Sequence, residues 1–82
     1  MFLEIISPTK KVFEDEVTEV QLPGTEGSFE ILRNHAPLIA TLGNGNIRIK
    51  APGHKDTFLP ITSGVVEVNH NRVIVLVSSE EI

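Results

Sequence analysis

The chain has 82 residues, a mass of 9.0 kDa, a formal net charge of −4 and an isoelectric point near 5.2. Surface scaling at this size gives roughly 4,900 Å² folded against roughly 13,000 Å² extended, so residues 1–82 are expected to form one small domain that buries about 63% of its surface. The acidic balance argues against nucleic acid as a partner, because the seven basic residues (Lys10, Lys11, Arg33, Arg48, Lys50, Lys55 and Arg72) are scattered. The lack of cysteine removes any disulfide framework or thiolate metal site and fits a reducing compartment.

Met1 leads directly into the apolar run Phe2–Ile6, with Glu4 inside it. No leader is expected. No window approaches the ~18 consecutive apolar residues of a membrane span, so the expectation is a soluble chain with no direct membrane insertion. Ser7-Pro8 is the first turn signal. The acidic run Glu14-Asp15-Glu16 is expected to be a solvated turn, since adjacent side chains of an extended segment cannot converge on one substrate atom. Val17–Leu22 alternates as a half-buried strand, with Val20 and Leu22 inward and Glu19 and Gln21 outward.

The stretch Leu22–Leu38 holds the most special chemistry: two loops around one short alternating segment. Pro23-Gly24 and Gly27 are expected to break the chain, and Pro37 biases Ala36 away from helix. Gly24 and Gly27 flank Glu26 and make it project. Further on, Gly43-Asn44-Gly45-Asn46 is a turn signal, and Asn46–Lys50 places Ile47 and Ile49 on one face. Pro52-Gly53 suits a hairpin between Lys50 and Asp56. Pro60 cannot donate to a ladder, which puts Thr57–Thr62 at a sheet edge or a bulge. Ser63-Gly64 marks another turn, and Asn69-His70-Asn71 suits a hairpin between Val65–Val68 and Arg72–Val77. The last of these segments is apolar on both faces. It is either a central strand or one whose outer face meets another protein, and the second reading is favoured. Ser78–Ile82 is expected to fray. Short strands between closely spaced turns, with no amphipathic helix of ten residues, predict an all-β sandwich or barrel.

No catalytic set emerges. His35, His54 and His70 share no short ligand spacing, so no metal site is expected. His54 and His70 fall in predicted turns, whereas His35 is either a structural hydrogen-bonding residue or a partner contact. Glu26 stands alone, and general acid–base work needs a second group in reach. Ser28 and Ser63 lack the elbow that presents a nucleophile. Pro23–Gly27 lacks the Gly-Lys-Ser/Thr ending of a phosphate loop. The reading is recognition by shaped loops on a rigid scaffold, without catalysis or cofactor.

The run Leu22-Pro23-Gly24-Thr25-Glu26-Gly27-Ser28-Phe29 through Asn34-His35-Ala36-Pro37-Leu38 resembles the signature of the epsilon subunit of rotary F-type ATP synthases. Phe2–Pro8, Val12-Phe13, Gly45–Arg48, Ser63–Val68 and Val73–Leu76 are similar to that family in the same order. The resemblance implies a flattened β-sandwich of about ten short strands, in a non-catalytic central-stalk subunit. Such a rotor part sits against the gamma subunit and the ring of c subunits, peripheral to the cytoplasmic face of a bacterial inner membrane. Glu26, Gly27 and Ser28 would then meet the c ring, and Ser7, His35, Ala36, Pro37 and Leu38 would face gamma. A free-standing β-sandwich binding module is the rival reading. Glu30 and Arg33 stand where the family usually has glycine and proline, and Val65 takes a common glycine position. Longer relatives continue into a two-helix hairpin, and the sequence stops at Ile82. Neither ATP binding nor helix-mediated inhibition is therefore expected.

Overall fold

The computed structural model describes residues 1–78, and within them every regular element is a strand. Nine strands run in chain order: β1 (Phe2–Ile6), β2 (Lys11–Glu16), β3 (Glu19–Gly24), β4 (Gly27–Leu32), β5 (Leu38–Leu42), β6 (Gly45–Lys50), β7 (Thr57–Ile61), β8 (Gly64–Asn69) and β9 (Arg72–Val77). The expected all-β class holds, with nine strands among the described residues where the resemblance implies about ten. The fraying expected for Ser78–Ile82 falls, from residue 79 onward, outside them. No helix in the described chain is long and apolar enough to cross a membrane.

The strands form one hydrogen-bonded sheet in the order β2-β1-β9-β8-β5-β3-β6-β7, with β4 on the other side of β3. It folds over where β3 changes partner: Glu19–Gln21 pair with β6, but Gly24 pairs with Leu42 of β5. One layer is therefore β2-β1-β9-β8-β5 and the other β4-β3-β6-β7. Pro23 sits at the switch. Its carbonyl accepts a hydrogen bond from the Gly43 N–H at 2.8 Å, and its missing N–H falls where no ladder continues. Pro23-Gly24 thus belongs to a strand, although its residue types signal a turn. The turn itself is Thr25-Glu26, with Gly27 at a φ of 128°.

Period-two alternation decides which side chains fill the space between the layers. Leu3 and Ile5, Val20 and Leu22, Ile47 and Ile49, Val66 and Val68, and Val73 and Val75 are all buried in one cluster. The folded surface is 4813 Å² and the extents are 27 × 25 × 20 Å, close to the area expected from length. Pro60 lies on β7 at the end of the sheet path, as its chemistry requires. His70 and Asn71 take positive φ values of 50° and 59° in the β8–β9 turn. The acidic run Glu14–Glu16 is not a turn but the end of β2, where it pairs antiparallel with Phe2–Glu4. Cross-strand pairing with an apolar β1 outweighs its local polarity. β9 is central, parallel to β1 and antiparallel to β8. The central-strand reading, the less favoured of the two, therefore holds, and the outer face carries Leu76, 51% exposed.

Candidate docking surface

The β3–β4 hairpin projects Glu26 because its base is pinched. A Cβ on Gly24 would lie 2.6 Å from the Gly27 carbonyl and 2.8 Å from the Phe29 ring, so only glycine fits there. The tip is tied to β5 by the Thr25 N–H donating to the Thr41 carbonyl at 3.0 Å and by their hydroxyls at 2.8 Å. Glu26, Gly27 and Ser28 are exposed, and Glu26 forms no ion pair among the described residues. Ser28 accepts a hydrogen bond from the Gln21 amide at 3.0 Å.

The second loop, 33–37, turns through Asn34 at a φ of 63°. The His35 N–H donates to the Leu32 carbonyl at 3.1 Å, and the Asn34 N–H donates to Asn71 Oδ1 at 2.9 Å. His35 Nδ1 lies 2.7 Å from the Ala36 carbonyl oxygen. That backbone contact supplies the structural half of the two readings of His35. Leu38 is already the first residue of β5.

The structure brings Leu38 and the Glu26–Ser28 segment to one groove of about 580 Å³, whose walls also include Phe29 and Ile39. It separates Ser7 from His35. Cross-strand register places Ile6 level with Leu76, Val65 and Thr41, so Ser7 follows at the same end of the sandwich as the Thr25-Glu26 tip. His35 lies at the other end, beside Asn71. The intervening strands are about 17 Å long. Ser7 is also only 4% exposed, with its hydroxyl donating to the Lys10 carbonyl at 3.1 Å. Its local role is to close the β1–β2 turn.

Sequence reasoning passed over Ile39, which is 72% exposed on β5. The signal was available: Leu38, Ala40 and Leu42 are in phase with each other, and Ile39 is the apolar residue out of phase. Ile39, Val65 and Leu76 make the outer face of the β1–β9–β8–β5 layer partly apolar. The opposite outer face exposes Leu32 and Phe58 beside an internally paired charged cluster. There Arg48 Nε donates to Gln21 Oε1 at 2.9 Å, and the guanidinium lies 3.2 Å from Asp56, 3.7 Å from Glu30 and 3.9 Å from Glu19. Glu30, unusual for the resembled signature, therefore has a cationic neighbour.

On the remaining edge, Lys11 bridges Glu14 at 2.8 Å and Glu4 at 3.2 Å. Its hydrogen bonds to Glu14 and then Glu4 raise the ammonium pKa above the ordinary 10.5. Gly64, next to the unusual Val65, supplies the close backbone approach: a Cβ there would lie 2.5 Å from the Leu76 carbonyl. No group of three or more potential ligand side chains gathers around a metal position among the described residues. Among the described residues the hydroxyls at the Glu26 tip bond to the Gln21 amide and to each other.

Comparison with known proteins agrees with this architecture. The family described as "ATP synthase, Delta/Epsilon chain, beta-sandwich domain" matches residues 1–82. The ATP synthase epsilon chain of Gloeobacter violaceus is 45% identical over 82 residues, covering 98% of this chain and 60% of the relative. That of Chlorobium limicola is 39% identical over 74 residues, covering 90% of this chain and 84% of the relative. Against several curated relatives, then, this chain spans a little over half of their length. A chain of the Euglena gracilis mitochondrial ATP synthase superposes with a TM-score of 0.87 at 22% identity, over 98% of this chain and 54% of the other. That superposition shows a shared fold. With the sandwich, the hairpin signature and the full-length family match all in agreement, the chain belongs to the ATP synthase delta/epsilon family, as its β-sandwich domain.

Proposed function

We propose that this chain is a non-catalytic rotor element of an F-type ATP synthase, joining the gamma subunit to the c ring so that ion-driven rotation reaches catalytic sites on other subunits. The observation that carries this reading is its 45% identity, over 82 residues, to a protein named ATP synthase epsilon chain. In this role Glu26, Gly27 and Ser28 meet the c ring, and His35, Ala36, Pro37 and Leu38, with the Ser7 turn, face gamma. Support comes from Glu26, exposed at a pinned hairpin tip and without an ion pair among the described residues, and from a core packed between both layers, which resists deformation. The domain then lies peripheral to the membrane, on the cytoplasmic side in a bacterium.

The test is co-purification with gamma, followed by binding of that pair to c rings. Stable capture in both steps is the expected result. A chain that stays monomeric in the presence of gamma supports the free-standing binding module instead. Glu26→Lys separates contact from folding, because it changes a projected charge without altering core volume. Stability should stay within about 0.5 kcal/mol of the parent, while ATP-driven pumping in a reconstituted complex falls. Unaltered pumping removes Glu26 from the contact.

A further inference from the structure

The groove whose walls are β4 and β5 is a lateral opening between the two layers. The backbone directions there follow from two hydrogen bonds. Pro23 turns its carbonyl toward Gly43, so its ladder partner Ser28 belongs to a pair without mutual hydrogen bonds. By alternation, the N–H and C=O groups of Ser28 and Glu30 point away from β3. Likewise Thr41 gives its carbonyl to Thr25, so Thr41 and Ile39 direct their groups away from β8. Among the described residues no strand pairs with the open side of β4. Ser28 and Ile39 both line the groove of about 580 Å³.

Other edges of the sheet carry devices that discourage pairing. On β2 these are Lys11, Glu14, Asp15 and Glu16, with a register shift opposite Ile5 and Ile6. On β7 it is Pro60. The open side of β4 presents Ser28 and Glu30, with no proline, lysine or bulge, and faces an exposed Ile39 across the groove.

We propose that this opening is a strand-addition site for one extended segment of a partner protein, with apolar side chains at alternate positions and basic ones between. The segment pairs with β4 through Ser28 and Glu30. Its apolar side chains enter the groove against half-buried Phe29, Leu38 and Ala40, and its basic ones face Glu26 and Glu30. Main-chain hydrogen bonds supply the attraction, and the alternation sets the register. This goes beyond the rotor reading, since it stands whichever protein donates the segment.

The probe is a capped heptapeptide alternating lysine and valine, added to the isotopically labelled chain while amide hydrogen exchange is followed. At about millimolar peptide, the Ser28, Glu30 and Ile39 amides should shift, and Ser28 and Glu30 should exchange about tenfold more slowly. A peptide with alternate amides N-methylated should not bind. Ser28→Pro removes an N–H that no ladder uses and should abolish binding. Ile39→Lys, at an exposed position, should weaken it with the melting temperature held. Silence at these amides, protection at β2 or β7 instead, or equal binding of a glutamate–valine peptide overturns the proposal. Protection that rises with protein concentration without peptide also overturns it, by assigning the edge to a second copy of the chain.

Discussion

Val75→Asp tests whether the centre of β9 is core, and the structure sets its size. Val75 is fully buried between Ile5 of β1 and Val66 of β8. Losing valine burial costs about 1.5–3 kcal/mol. Burying a carboxyl without a partner adds about 1–3 kcal/mol, and the surrounding side chains are aliphatic. At pH 7 the group must stay protonated, about three units above an ordinary aspartate pKa of 3.9; at 1.36 kcal/mol per unit that is about 4 kcal/mol more. The total, about 7–10 kcal/mol, is set against a stability of about 4–12 kcal/mol for a chain of this length. The variant should therefore be largely unfolded at pH 7. The sign with pH is definite: a carboxyl raised in the folded state contributes stability relative to neutral pH below its unfolded pKa, and loses it as pH rises. Urea melts followed by circular dichroism, taken at pH 4 and pH 7 against the parent, should show the deficit smaller at pH 4 by up to about 4 kcal/mol. Val75→Asn should show no such change. A Val75→Asp protein with the parent's melting temperature at pH 7, or a deficit independent of pH, refutes the assignment of Val75 to a dry core.

Gly64→Ala places a Cβ 2.5 Å from the Leu76 carbonyl, and should cost about 1–3 kcal/mol in thermal melts through backbone displacement. Arg48→Met leaves Glu19, Glu30 and Asp56 without their shared cation. It should lose about 1–2 kcal/mol, and the gap to the parent should narrow in about 1 M salt, where surface charges are screened. Lys11, whose pKa is raised, contributes stability below its ordinary 10.5 and loses it as pH climbs past the folded value. The stability difference between the parent and Lys11→Met should accordingly hold from neutral pH to pH 9 and shrink beyond 10.5.

Local rules carried much of the architecture. Val20 with Leu22, and Ile47 with Ile49, announce their inward faces by alternation alone. Pro60 declares an edge, and His70-Asn71 a tight turn, because each is limited by its own backbone chemistry. What escaped local reading depends on distant partners. Pro23-Gly24 has turn composition but sits in β3, since the break it marks is a change of neighbour within the sheet. Glu14–Glu16 is solvent-exposed as its composition announces, yet it is strand and not turn, because it pairs with β1. The distance between Ser7 and His35 follows from strand register, which no short window contains. For the docking surface, glycines around Glu26 revealed the projecting tip. The groove beside it exists only because β5 comes back to meet Gly24, a long-range event.

The parallel seam between β1 and β9 governs the order in which this molecule can become itself. Phe2 lies level with Arg72 and Ile6 with Leu76, so β1, made well before β9, waits for it before its inner side chains are enclosed. Until then Leu3 and Ile5 have only the acidic β2 as a strand neighbour. Closing so long a loop is entropically costly and slows folding relative to chains with local contacts. A nascent chain that has released β1 but not β9 therefore carries an unfinished half-layer, whose missing neighbour is one arm of the β8–β9 hairpin.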